Sequence, residues 1–325
     1  MLSPALRERL LAVPDGPLDV VVDTDVTNEI DDQFALAWAL RRPDRLRVQA
    51  LYACPYSLGK QGFAAPGLVT GLERAAVLAR RDERRVTPAE GMALAAQECR
   101  RIAALAQRDV PVLDGATRYL PDATTPVPSP AAEHLVELAH QDRDRPLHVL
   151  GIGCATNLAS ALLLDPTIAD HVVMVWTASY PSFWPYPNAG YNMVQDLAAA
   201  RVLFDSGVPL VYLPGYYVGE QLRVGLPELR ENLAGRGALA EYLLDLAQTS
   251  VFLGADPGAT KVIWDLVDVA YVLDPALLET RLVRSPLLEQ DLRFGATGPD
   301  RHLVREAHGV QRDAVFAGLY SAVAG

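Results

Sequence analysis

The sequence predicts an α/β fold with a Rossmann-like, mostly parallel central sheet flanked by helices, and three observations carry that expectation. Short apolar runs of strand length alternate with segments of helical period from end to end. Several of the runs are apolar at successive positions, as strands covered by helices on both faces are. Half of the 325 residues are hydrophobic, enough for a sizeable core.

The strands expected in chain order are 19–25 (DVVVDTD), 46–53 (LRVQALYA), a short 110–115 (VPVLDG), 147–153 (LHVLGIG), 171–177 (HVVMVWT) and 208–214 (VPLVYLP). Helical period places helices near 32–42, 67–81, 88–107, 130–142, 157–164, 194–206, 237–247 and 262–273. The helix near 32–42 opens on Asp31 and Asp32, carboxylates that the exposed N–H groups of a helix start favour. The Pro-rich stretch 119–132 is read as a surface loop, because the alternation continues on both sides, and residues 1–325 are expected to form one domain. Three loops rich in Gly, Pro or aromatic residues, 54–67, 177–192 and 252–261, follow strand ends, where open α/β sheets bind ligands.

A net charge of −11 argues against nucleic acid or an anionic membrane as partner, since both require a basic face. A small neutral or cationic ligand, or a metal ion, is the better fit. Cys54, Cys99 and Cys154 have no CxxC spacing, which suits a reducing cytosol and gives no zinc signature. Neither a signal-type apolar run nor a membrane-length one is evident, so a cytoplasmic location is expected.

The segment VVVDTDVTNEIDDQF, 20–34, sets an apolar strand against five acidic residues, Asp23, Asp25, Glu29, Asp31 and Asp32. Like charges about 4 Å apart repel by roughly 4 kcal/mol at an effective dielectric near 20. Such a group needs a compensating cation or full hydration. Helix capping alone explains Asp31 and Asp32, but not the two carboxylates at the strand end. With no nearby His or Cys, all-oxygen ligation points to Ca²⁺ or Mg²⁺. Two chemistries start this way. The motif DxDx[TV], matched by Asp23 to Thr27, opens phosphatases of the haloacid-dehalogenase type, with Asp23 as nucleophile, Asp25 as acid/base and Mg²⁺ as charge clamp. That reading draws on Lys261, Asp265 and Asp268 and leaves Asp31 and Asp32 unexplained.

The second chemistry rests on a resemblance. DTDVTNEIDDQFALAWAL resembles the amino-terminal fingerprint of the nucleoside hydrolases, DxDPGxDD followed by an apolar helix, although the turn here is two residues longer and lacks the Pro-Gly pair. LGIGCATNLASALLLDP (150–166), NAGYNMVQDLAAARVLFDSGVPL (188–210) and KVIWDLVDVAYVLDP (261–275) continue the likeness in the family's order. It implies a Ca²⁺-dependent ribonucleoside hydrolase releasing ribose and a free base. The implied Ca²⁺ ligands are Asp25, Asp32, the main-chain carbonyl of Thr156, and Asp265. Asp25 is implied as the base that activates water, and Asp31, Asn188 and Asn192 as contacts to the ribose. Relatives are commonly dimers or tetramers, so a homo-oligomer is expected. A third possibility is a metal-dependent ribose or nucleoside binder without turnover.

Three positions depart from the family. Trp264 stands where many members have a His acid, as in the purine-preferring branch, where indole stacking helps the base accept a proton; this implies purine substrates. Gly190 replaces the Glu that grips the 5′-hydroxyl, which opens the question of whether Glu29 substitutes for it or the substrate is bulkier at that end. The family's Asn after the second strand is absent, and Cys54 or Tyr56 occupies that ground. Cys54 has no His partner in view and reads as a buried thiol. GIGCAT, 151–156, lacks the third Gly of a dinucleotide fingerprint.

Overall fold

A computed structural model describes residues 2–12, 15–58, 86–250, 253 and 258–324 of the chain. The expected helix 67–81, and most of the loops 54–67 and 252–261, lie outside the described residues.

Numbered along the chain, the strands are β1 (Leu18–Thr24), β2 (Leu46–Ala53), β3 (Val112–Asp114), β4 (Leu147–Gly151), β5 (Val172–Ala178), β6 (Leu210–Pro214), β7 (Arg223–Gly225), β8 (Thr260–Val262), β9 (Leu278–Arg284), β10 (Leu287–Leu288), β11 (Phe294–Gly295) and β12 (Leu303–Val310). Eight of them form one sheet in the order β3-β2-β1-β4-β5-β6-β12-β9. Every pairing in it is parallel except β12 with β9. The order reverses at β1, which pairs with β4 in register from Val20 to Asp23 and with β2 on its other side, with a register shift between Val20 and Val21. Such a switch point leaves a crevice beyond the strand ends. Asp25, just past the end of β1, therefore emerges at the place where ligands bind in this architecture, whereas Asp23, expected there too, stays inside the strand and does not line the cavity.

All six strands expected from the sequence are present within two residues at each end. The sheet is wider than expected because β12 and β9 extend it, and two small antiparallel pairs, β7–β8 and β10–β11, sit outside it.

Helix starts follow side-chain chemistry. Thr87 and Glu90 form a reciprocal capping box ahead of helix Pro88–Leu105, with Pro at its first position, and Ser129, also followed by Pro, caps Pro130–Ala139 by accepting from Ala132 N–H. Helix Asp31–Leu40 is different: all ten residues are buried, so it runs inside the molecule, packed against helices 88–105, 266–273 and 312–323. Its cap position is Ile30, which offers no side-chain hydrogen bond. Asp31 and Asp32 occupy the first turn itself, where the helix dipole stabilises negative charge. The Pro-rich stretch before Pro130 is tied down by Leu120 N–H to Asp196 and Val127 N–H to Ser160. It connects β3 and β4, two strands of the same sheet.

Candidate metal and sugar site

The strand-end crevice holds a cavity of about 380 Å³, which is the size of a pocket for a small organic ligand. Its floor is acidic: Asp25, Glu29, Asp31, Asp32 and Asp265. Its wall is aromatic: Tyr180, Tyr191, Tyr216 and Trp264.

Carboxylate oxygens of Asp31, Asp32 and Asp265 lie within 4.8 Å of one another, and all three residues are buried. Asp265 directly precedes helix Leu266–Leu273, so two helix starts meet across this point. Burial pushes all three carboxyls up, with Asp32 and Asp265 well above the ordinary carboxylate range; repulsion from neighbouring carboxylates adds to the effect at Asp32 and Asp265, while at Asp31 the Lys261 ammonium opposes it and Glu29 adds to it. Asp25 is not one of this trio but faces the same cavity. Its carboxyl is likewise raised by burial and then by Cys154 and Asp31, while Asn28 Nδ2 donates to its Oδ2 at 3.1 Å. Thr24 Oγ1 donates to Asp32 Oδ1 at 2.5 Å. Four buried carboxylates with so few donors suit a hard divalent cation, which favours oxygen ligands. The residues present fit such an ion.

The other side chains singled out from the sequence divide sharply. Trp264 lines the cavity half-buried, its ring edge-to-face with Tyr216 at 5.3 Å, and Tyr216 stacks on Tyr180 at 4.1 Å. Asn192 lines it too: its Nδ2 donates to the carbonyls of Ile152 and Thr177 at 3.1 and 3.0 Å, so the atom it can offer a hydroxyl is Oδ1. Asn188 is not brought to the cavity. Its Nδ2 donates to Leu292 O at 2.9 Å and its Oδ1 accepts from Tyr180 N–H at 3.3 Å, which makes it a staple for the aromatic loop. Thr156 is also absent from the lining. It is the first residue of helix Thr156–Leu164 rather than its cap, which is Ala155, and its hydroxyl donates to Asp196 Oδ2 at 2.6 Å. None of the six histidines lines the cavity.

Asp23, the nucleophile of the phosphatase reading, is fully buried behind the cavity, and Asn157 Nδ2 donates to its Oδ1 at 2.7 Å. Burial raises its pKa to about 7, partly offset by that hydrogen bond. It does not line the cavity, so no substrate in the cavity reaches it. Cys54 is buried as expected, with Cys154 Sγ at 3.4 Å, and burial pushes its thiol well up.

The departures from the family pattern have physical causes. Thr27 occupies the motif's Gly position at φ 87°, a left-handed backbone that costs a β-branched residue about 1–3 kcal/mol. Its hydroxyl is hydrogen-bonded to Tyr56 OH at 2.7 Å. At Gly190 a Cβ would stand 2.5 Å from Ser179 Cα, and the Gly190 N–H donates to Ser179 Oγ at 2.9 Å. No side chain fits there. Gly190→Glu is expected to destabilise the fold by about 2 kcal/mol or more through this overlap, measured as a lower urea midpoint, rather than to restore a 5′-hydroxyl contact.

One cavity residue has more prominence in space than in sequence. Lys261, on β8, is buried with its ammonium 2.7 Å from Glu29 Oε2 and 3.4 Å from Asp31 Oδ2. Burial works against its charge, but Asp31 and Glu29 more than offset it, and its pKa is raised. The acidic excess in the segment around 20–34 was the available signal that a cation would be needed; its identity as Lys261 was not.

A mostly parallel sheet with a carboxylate cluster at its switch point defines an α/β protein with a ligand site whose residues could hold a cation. The family of inosine-uridine preferring nucleoside hydrolases matches residues 86–317, most of the chain, and the chain belongs to that family. Among individual relatives, the pyrimidine-specific ribonucleoside hydrolase RihA of Shewanella sp. (strain ANA-3) is 26% identical over 189 residues, 54% of this chain and 59% of that protein. The inosine-uridine preferring nucleoside hydrolase of Crithidia fasciculata is 25% identical over 183 residues, 55% of this chain and 58% of that protein. The chain thus spans under two thirds of the length of these curated relatives. Among solved structures, the plant nucleoside hydrolase PpNRh1 superposes with a TM-score of 0.69 at 19% identity, covering 95% of this chain and 99% of that one. The purine-preferring ribonucleoside hydrolase from Gardnerella vaginalis gives 0.65 at 18% identity, covering 94% and 98%. These two likenesses establish the fold. No helix among the described residues is long and apolar enough to cross a membrane.

Proposed function

We propose that the protein hydrolyses the N-glycosidic bond of ribonucleosides in a Ca²⁺-dependent reaction, with a preference for purines. The observation that carries this reading is the meeting of Asp31, Asp32 and Asp265 with Asp25 and Trp264 around one cavity. Asp32 and Asp265, with Asp25 beside them, would hold the ion. A bound Ca²⁺ neutralises the carboxylates and makes water beside it more acidic.

Asp25 takes the proton from the attacking water; burial among like charges has raised its proton affinity, which suits a base. Asp31 Oδ1 and Asn192 Oδ1 accept hydrogen bonds from ribose hydroxyls. As the bond to the base breaks, positive charge grows on the sugar, and the acidic floor stabilises it. Trp264 stacks on the departing base at the aromatic wall. The acidic overall charge and three cysteines without a disulfide support a reducing, cytoplasmic setting, and we take the working form to be a homo-oligomer, as for relatives.

The test is a panel of purine and pyrimidine nucleosides assayed for reducing-sugar release with and without a chelator. Release that stops on chelation supports the reading. Calorimetric binding of ribose with no sugar released would identify a binding protein instead, and phosphate release from test esters would revive the phosphatase. Trp264→Ala is expected to lower kcat/KM for inosine about tenfold, as lost aromatic contact and leaving-group assistance would do. The same change should affect 4-nitrophenyl riboside, whose leaving group needs no proton, severalfold less. Equal losses would remove Trp264 from leaving-group activation.

A further inference from the structure

The cavity floor contains one buried ammonium, and its surroundings fix it at three points. Lys261 is 4% exposed; its Nζ donates to Val262 O at 2.6 Å and pairs with Glu29 Oε2 at 2.7 Å and Asp31 Oδ2 at 3.4 Å. Glu29 belongs to the turn between β1 and helix Asp31–Leu40, the turn that is two residues longer than the family's fingerprint. Lys261 comes from β8, which is held in place by antiparallel pairing with β7. The extra turn residues and the lysine thus meet inside the pocket.

The consequence falls on Asp31. One of its oxygens, Oδ2, is engaged by the ammonium. The other, Oδ1, is buried with no hydrogen-bond partner among the described residues. A buried acceptor without a donor costs about 1–3 kcal/mol, which a ligand hydroxyl would recover. A carboxylate already facing a cation is also a poorer ligand for a second one, so Asp31 is disposed toward the sugar and Asp32 and Asp265 toward the metal.

We propose that Lys261, anchored by Glu29, is a positioning residue that turns Asp31 to receive the diol of the sugar. This rests on the ribose-site reading above and adds to it the residues that set the geometry. Lys261 does not touch the reacting atoms. Its effect is exerted through the direction of Asp31.

The test is titration of ribose into the Ca²⁺-loaded protein, with Ca²⁺ affinity measured separately by titrating the metal-free protein. Lys261→Met should weaken ribose binding about tenfold, the loss of one well-placed hydrogen bond to a charged group. Its Ca²⁺ affinity should be unchanged or tighter, because a neighbouring positive charge has gone. Lys261→Arg should recover part of the ribose affinity, and Glu29→Gln, at a partly exposed position, should lose about threefold. Ribose affinity in Lys261→Met within twofold of wild type would overturn the inference. So would ribose and Ca²⁺ affinities falling by the same factor, which would make Lys261 a general support. If Lys261→Met does not fold, wild-type ribose affinity in both Glu29→Gln and Lys261→Arg overturns it. Wild-type protein that binds no ribose sinks the ribose-site reading itself, whereas normal wild-type binding with an unaffected Lys261 variant sinks only the inference.

Discussion

Asp25→Asn is expected to lower turnover by about 10²–10⁴-fold, the range for removal of a general base, while leaving the fold intact. The substitution keeps the shape of the side chain and its acceptor oxygen toward Asn28, but the amide has no proton affinity in the useful range. Removing one charge from a crowded, buried group also relieves repulsion, so the metal-free variant should melt at or above the wild-type temperature. Sugar release and a thermal melt on the same sample check both halves. Turnover near wild type would take the base role away from Asp25; a collapse in melting temperature would show that its charge is structural.

Calcium is expected to raise the melting temperature, and to raise it more at neutral than at acid pH. Asp25, Asp31, Asp32 and Asp265 all have carboxyls raised by burial in the folded chain. As pH rises from the ordinary carboxylate range near 4 toward those higher values, the unfolded chain gives up its protons first, so the metal-free fold loses stability. A cation binds the ionised cluster and opposes that loss. At about 100 times its dissociation constant it adds about 2.7 kcal/mol, several degrees of melting temperature. Scanning calorimetry at about pH 5 and pH 7.5, with Ca²⁺ or chelator, reads the difference; at the lower pH much of the cluster is protonated and the gain should shrink. An equal gain at both values, or none, would place the ion away from these carboxylates.

Much of the architecture was legible because β1, β4, β5 and β6 are buried along nearly their whole length on both faces, a pattern that local composition shows directly. β9 and β12 were missed for the opposite reason. LETRLVR and LVREAHGV are interrupted by charged residues, β9 lies at the exposed edge of the sheet, and β12 pairs with β9 and with β6, far away in sequence. The acidic floor was legible from the spacing of Asp25, Asp31 and Asp32. Asp265 needed the family resemblance, since an Asp between Trp264 and Leu266 looks like any buried carboxylate. Asn188 was misplaced because a loop Asn looks the same whether its amide faces a ligand or the backbone of Leu292. The Lys261–Asp31 pairing spans 230 positions, and no local signal selects such a partner.

The Asn188 staple has an evolutionary consequence. By joining the aromatic loop to Leu292, it makes the aromatic wall of the cavity answer to the small β10–β11 excursion, which contributes nothing to the acidic floor. Mutations in that hairpin can therefore shift the aromatic wall of the cavity while its acidic floor stays constant.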